Sequence, residues 1–590
     1  MIVPMKKITV LCLAEKRQAA LHQLEKIGVL HLVPCAEPQE SGGLEEARRT
    51  LARTGQAVAI LNRYLAPEHQ QQQSVTAAGG DIVERCHKLV GEQKSLSDEC
   101  TALERELARC SPLGRFDPQT LNQLKQRGLF VKVYKVPVKN PPPLPQNAFV
   151  QVLSEERGIQ WLVLAADTAS EYPADEFDLP KQSIDEMRTG LDSQRKRLAQ
   201  IEDELTGLAH LLPEVNMSQT AARNRLAMEE ARSGMGQHEQ LAYLTGFCPE
   251  PRIDELKQAA AANGWGLVID APETSDNVPT LVEYPRIVKP IKAVFDMLQI
   301  LPGYREADIS AVFLIFFSIF FAMLIGDAGY GLLFMLATLA ARRKFKTAPS
   351  YPFVLLGILS TTTMLWGIIT GNYFGIPPEV LPAFMQGIRV PWLLESDNIM
   401  QLCFVLGAVH LTIAHIWNAV ICYPDKRWLA QTGWIGLVWT MFILASAVVL
   451  GNPLPIALTA VLFGGGIVLV AGFMTPPADL KKDWINHAML PLNVVSCFVD
   501  VVSYIRLFAV GMASLQVARS FNDMAVGVGM SHMLALPISA LILLLGHGLN
   551  IMLCGLGILV HGVRLNTLEF SLHKQLEWAG SPYKPFGAKE

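Results

Sequence analysis

Arg506 stands inside the apolar run 492–517, where a side chain that cannot shed its proton is costly. Placing that charge mid-span costs about 2.5 to 3.5 kcal/mol even on the lenient insertion scale, so an intramembrane arginine marks function by default. If residues 492–517 form one helix, steps of about 100° per residue put Asn493, Ser496, Asp500, Ser503 and Ser514 in a stripe beside Arg506. In the last apolar run, Ser539, His547, Asn550, Cys554 and His561 share a face with Arg564. Two polar seams, each with an arginine, can line a water-filled path or face another protein. The plainer alternative is a bundle arginine paired with Asp500 or a carbonyl. Asp500 sits about 120° around the helix from Arg506, so it is either an ion-relay group or a local counter-charge. Arg564 is close enough to the end of its run to snorkel.

Other chemistries find little support. The ten cysteines are scattered, without a Cys-x-x-Cys pair, so neither a disulfide framework nor a metal site is expected. His410 and His415 lie about 140° apart on one helix and lack a third ligand, which favours interhelical hydrogen bonds. No phosphate-binding Gly-x-x-x-x-Gly-Lys-Ser/Thr loop and no Ser/His/Asp arrangement occurs, so the chain is expected to hydrolyse no ATP itself and to need no cofactor. A net charge of −4, with the charges intermixed, implies no nucleic-acid partner.

The elements that position these residues divide the 590-residue chain in two. Residues 1–305 read as a soluble arm. Strand, helix and strand at the start, strands at 129–138, 148–154 and 158–167, and a return to strand, helix and strand over residues 241–270 suggest small α/β lobes. Two long charged helical stretches separated by the middle strands have apolar stripes too narrow to bury alone, which predicts an antiparallel coiled coil joining two globular ends. The opening residues read as a first strand and not as a signal peptide.

Residues 306–573 carry apolar runs at about 306–325, 327–341, 352–371, 401–421, 430–450, 455–473, 492–519 and 534–563. The first two are a hairpin if the chain turns at the Gly-rich segment GDAGYG, 326–331. A hairpin puts Arg342, Arg343, Lys344, Lys346, Lys426, Arg427, Lys481 and Lys482 on the side of the soluble arm and leaves Arg389 and Arg519 opposite. Because short cytoplasmic loops collect Lys and Arg, eight spans with both termini cytoplasmic are expected, followed by a cytoplasmic tail at 574–590. The fold class is thus an α+β cytoplasmic arm ahead of an all-α membrane domain. Gly464, Gly465 and Gly466 are expected to allow close helix approach.

The segments SYIRLFAVGMASLQ at 503–516, HGVRLNTLEF at 561–570, GDAGYG at 326–331, LPGYREAD at 301–308 and SPYKPF at 581–586 together resemble the membrane stator subunit of rotary V-type and A-type ATPases. The first half resembles that family by layout more than by motif. The resemblance implies that Arg506 faces the carboxylates of a rotating proteolipid ring through the last two spans. It further implies that Arg564 and Gln516 support Arg506, and that two offset aqueous half-channels deliver and remove the ion. A fixed cation beside a ring carboxylate favours its ionised form and hence ion release there. The arm would hold peripheral-stalk and other cytosolic subunits, and lipid would surround the spans of a bacterial or archaeal plasma membrane.

Two positions depart from the family pattern, since many relatives carry acids where this chain has Leu492 and Cys554. Asn493, Ser496, Asp500, His547 and Asn550 are the polar groups left near the pathway, beside Ser503 and His561. The expected function is coupling of H⁺ or Na⁺ movement to ATP hydrolysis or synthesis elsewhere in a complex. Alternatives are a stand-alone secondary transporter, which would favour an inverted repeat, and a purely structural membrane anchor.

Overall fold

The computed structural model describes residues 1–35, 42–65, 79–139, 141–145, 148–156, 158–167, 172–476, 484–528 and 536–587. Lys481 and Lys482, used above to orient the spans, lie outside the described residues. The chain forms two compact units, one of Thr9–Gly246, Glu255–Val268 and Pro585–Glu590, the other of Met1–Ile8, Phe247–Asp254 and Ile269–Lys584.

The first half runs through β1 (Met5–Leu13), α1 (Arg17–Ile27), β2 (His31–Val33), α2 (Gly42–Tyr64), α3 (Gly79–Cys110), α4 (Pro118–Gln126), β3 (Phe130–Pro137), β4 (Phe149–Glu156), β5 (Ile159–Ala166) and β6 (Asp175–Phe177). It continues through α5 (Ile184–Ala209), α6 (Leu212–Ser233), β7 (Gly236–His238), β8 (Leu241–Pro249), α7 (Ile253–Asn263) and β9 (Gly266–Asp270). One sheet has the order β2-β8-β1-β9 with β7 on β8, and the other is β4-β5-β3-β6. Alternation drives β1 into its sheet: Met5, Ile8, Val10 and Cys12 are buried. Helix α5 starts on a capping box between Ser183 and Glu186.

Helix α3 packs against α5, and α2 against α6. Leu61, Ile82, Cys86, Ile201, Leu205 and Val215 from these four helices form one apolar core. Each stripe is narrow, so charges flank it. Arg197 reaches Glu92 at 2.8 Å and Glu204 at 3.1 Å, and Arg195 reaches Glu104 at 2.6 Å. Partner numbers fall along α5 as they rise along α3, so the pair is antiparallel.

The second half contains α8 (Lys292–Leu298), α9 (Ser310–Ile325), α10 (Ala328–Lys344), α11 (Ser350–Thr370), α12 (Ala383–Ile388), α13 (Ser396–Cys422), α14 (Arg427–Leu450) and α15 (Ile456–Phe473). After these come α16 (Trp484–Ala488), α17 (Leu490–Ser503), α18 (Ile505–Gly527), α19 (Leu536–Gly557) and α20 (Ser571–Lys574). Among the described residues, six stretches are long and apolar enough to cross a membrane: α11, α13, α14, α15, Leu490–Gly527 and Leu536–Lys574. The sequence predicts eight apolar runs. Two fall short because the turn at Gly326 limits α9 to 16 residues and α10 to 17.

That turn has a clear local cause. Gly326 ends α9 with φ +69°, and the Asp327 carboxylate accepts from Gly329 N at 2.7 Å and Tyr330 N at 3.2 Å, capping α10. Its other oxygen accepts from Gly375 N at 3.1 Å. Ala328 N donates to Asn372 O at 2.9 Å while Thr362 Oγ1 donates to Ser318 O at 3.3 Å, so α9 runs parallel to α11 and α10 runs against both. Apolar on all sides, α9 is mostly buried, and Phe316, Phe320 and Leu324 enter the main core with Tyr504, Leu507 and Phe570. In the glycine run of α15, Gly466 lies against Gly433 of α14, and an added Cβ would come within 2.9 Å of its carbonyl oxygen.

Candidate functional site

The helix expected to run unbroken through Arg506 is interrupted at Tyr504, between α17 and α18. The side chains at the break explain it. Ser503 Oγ donates to Asp500 O at 2.7 Å, and Arg506 Nε donates to Ser503 O at 2.9 Å, taking the carbonyl that would receive the next helical N–H. Leu507 N therefore bonds Tyr504 O instead, at 3.0 Å. The Tyr504 hydroxyl is 2.8 Å from His410 Nδ1, and His410 stacks between Phe316 and Phe570, so the break is clamped in the core. Arg506 is thus held by backbone at its Nε.

Its Nη2 donates to Glu569 Oε1 at 2.5 Å. The same oxygen lies 3.4 Å from Arg564 Nε. Glu569 has only 4% of its side-chain surface exposed, against 22% for Arg506 and 53% for Arg564. One buried carboxylate therefore serves two guanidiniums, and the cluster keeps one net positive charge at its exposed side. Glu569 was not singled out from the sequence, because five residues separate it from Arg564 and an α-helix would turn the two apart. The last helix is not α-helical there: Ile558–Gly562 and Leu565–Phe570 are π-helical, and hydrogen bonds between residues five apart bring positions 564 and 569 to one side.

The remaining candidates fall into three groups. Asn493, Ser496 and Asp500 line a cavity of about 660 Å³ together with His415, Arg427 and His573, at the end of the bundle where α14 begins and α15 finishes. Gln516 lines a second cavity of about 520 Å³ with Glu379, Arg389 and Arg519, which extends to Leu507 and Phe508. His547 and Asn550 belong to a mostly buried polar chain: Asn550 Nδ2 donates to the Tyr330 hydroxyl at 3.0 Å and to Ser514 O at 3.0 Å, and His547 Nδ1 lies 2.7 Å from the same hydroxyl. Cys554 joins it through Ser514 Oγ at 3.1 Å. Ser503 acts at the helix break, through its hydroxyl on Asp500 O and its own carbonyl toward Arg506. His561 sits in the first π segment with a buried Nδ1 that has no hydrogen-bond partner among the described residues.

The two departures differ in setting. Leu492 is 58% exposed on the outer face of α17, whereas Cys554 is buried beside Ser514. Asp500 does not pair with Arg506; its Oδ2 lies 3.2 Å from His573 Nε2. Along the α17–α18 stretch, one cavity reaches Asp500, the other reaches Leu507, and Arg506 stands between them.

No family profile matches the chain. It is 30% identical over 623 residues to "V-type ATP synthase subunit I" of Borreliella burgdorferi, covering 99% of both chains. Identity is again 30%, over 633 residues, with "V-type ATP synthase subunit I 1" of Treponema pallidum, covering 99% of this chain and all of the relative. "A-type ATP synthase subunit I" of Methanocaldococcus jannaschii is 26% identical over 453 residues, covering 69% of this chain and 62% of the relative.

Proposed function

The chain belongs to the family of V-type and A-type ATP synthase subunit I, and from that premise we propose that Arg506 is the fixed cation past which a proteolipid ring carries its carboxylates. The observation that carries this reading is the placement of Arg506 between two cavities that approach it from opposite ends of the bundle. Each cavity serves as one aqueous half-channel. A ring carboxylate loaded with its ion crosses lipid, meets the positive cluster, and is held ionised there while the ion departs. The same positive charge opposes direct passage of cations between the cavities.

Glu569 balances one of the two arginines, so the site is neither an unpaired double charge nor a neutral pair. Arg564, half exposed, extends the positive surface, and Gln516 lies exposed on the Arg506 helix near the second cavity. The last two helices form the ring-facing surface. In this reading α9 and α10 also span, giving eight spans with both termini on the cytoplasmic side. The helical pairs α3–α5 and α2–α6 are then the coiled-coil strut of the arm that grips the peripheral stalk and other cytosolic subunits.

The test is Arg506→Ala in the assembled complex, with ATP hydrolysis and ATP-driven ion uptake measured together in sealed vesicles. Loss of uptake, with assembly intact, is expected. Coupled uptake that persisted would remove the proposal.

A further inference from the structure

His573 and His415, which neither the family motifs nor the seams singled out, complete a hydrogen-bonded chain at the bottom of the 660 Å³ cavity. His415 Nδ1 is 2.8 Å from Gln431 Oε1, His415 Nε2 is 2.8 Å from His573 Nδ1, and His573 Nε2 is 3.2 Å from Asp500 Oδ2. The chain links four helices, α14, α13, α20 and α17. His415 lies parallel to Trp434, and Asn418 Nδ2 donates to His573 O at 2.8 Å, holding the backbone from which the second ring projects. Lys574 Nζ is held by Asn418 Oδ1 at 2.7 Å, and Arg427 lines the cavity.

The protons of this chain can be counted. Gln431 Oε1 accepts only, so His415 Nδ1 must carry the proton between them. A neutral imidazole has one N–H, which leaves His415 Nε2 as acceptor and obliges His573 Nδ1 to donate. His573 Nε2 and the Asp500 carboxylate would then face each other with lone pairs alone. One added proton resolves this, shared as an imidazolium or as a carboxylic acid. If the Gln431 amide rotates so that its NH₂ donates, every bond reverses, His573 Nε2–H points at Asp500, and the chain is satisfied without that proton. The two arrangements differ by one proton and little else.

We propose that Asp500, His573 and His415 form a proton-storing relay at the inner end of this half-channel, so that the ion moved is H⁺ and not Na⁺. The inference rests on the stator reading above. An N–H or O–H bond forms on the relay as an O–H bond of a hydronium in the cavity breaks and leaves water, and that new bond breaks in turn as the proton passes on to form the O–H of a ring carboxylate near Arg506. No electrons move. Oxygens of Asn493, Ser496 and Asp500 line the cavity, but a sodium ion could not follow the relay itself, because the ring nitrogens of His573 and His415 offer it no oxygen ligand while they pass a proton.

The experiment uses vesicles carrying the whole complex, following ATP-driven acidification with a pH dye and ATP hydrolysis in parallel. His573→Ala and Asp500→Asn should each slow proton uptake about tenfold or more, the scale of a positioned acid–base group. Added imidazole should restore His573→Ala, because the cavity can admit the missing ring, and added Na⁺ should not. If His573→Ala does not assemble, the near-isosteric Asp500→Asn decides the matter. Uptake at the normal rate in Asp500→Asn, or uptake that follows Na⁺ and ignores a protonophore, overturns the relay. With Arg506→Ala uncoupled, such a result removes the relay alone; retained coupling in Arg506→Ala removes the stator reading beneath it.

Discussion

At the scale of single residues, Glu569 changes how the two arginines act. In the proposed stator reading, a buried carboxylate bound to Arg506 at 2.5 Å would compete with an incoming ring carboxylate and give a weaker grip than a bare guanidinium would. Glu569→Gln keeps the shape and removes the competitor, leaving two positive charges. Ring carboxylates should then dwell longer, and ATP-driven uptake should fall about tenfold while the subunit stays assembled; an unchanged rate would show that Glu569 does not tune Arg506. Arg506 was legible in the sequence because an arginine in an apolar run has no cheap explanation, whereas Arg564, at the end of its run where it can snorkel, stood out by sharing a face with a polar seam. Glu569 was present in the HGVRLNTLEF segment but carried no signal, since its partnership depends on a π-helical turn that local sequence does not announce. His573 was hidden for a related reason: its partners come from helices more than seventy residues away in sequence.

At the scale of elements, apolar runs revealed the membrane helices, and the GDAGYG segment revealed its turn through residue types that cap and reverse helices. The break at Tyr504 was not legible. It arises from Ser503 and Arg506 diverting two carbonyls, whereas Ser318 and Ser360 bond a carbonyl one turn back without breaking their helices. The helix pair α3–α5 offers a test through its charges. Hydrogen bonds from Arg197 hold Glu92 below its ordinary carboxylate range, and those from Arg85 and then Arg197 do the same for Glu204. Depressed carboxyls stabilise the folded state above their unfolded value near 4.5, and that contribution is lost as pH falls through the folded value. Thermal unfolding of the purified chain should therefore come earlier below about pH 4.5, and Arg197→Met should make that decline shallower. An equal decline in the variant would mean that other carboxylates dominate.

At the scale of the whole chain, the charge asymmetry of the loops predicts which ends of the helices share a side. Lys344→Cys and Pro453→Cys, both at exposed positions, should react with a membrane-impermeant maleimide from opposite faces of oriented vesicles. Labelling of both from one face would break the eight-span arrangement. Background should be low, because eight of the ten native cysteines are buried and only Cys35 and Cys422 are partly open. An α+β first half followed by long apolar helices could be read from composition alone; the packing of the helices against one another could not, since it depends on close approaches such as Gly466 to Gly433. The two cavities have an electrical consequence. If both are wetted, each carries the potential of its own bath inward, so the voltage falls chiefly between Asp500 and Leu507. That is about 10 Å of helix in place of the roughly 30 Å of a bilayer, so the field at Arg506 is about threefold steeper than the membrane average. About 2.3 kcal/mol per charge for each 100 mV is then delivered across the few residues that hold the guanidinium, where it can bias the direction of the ring.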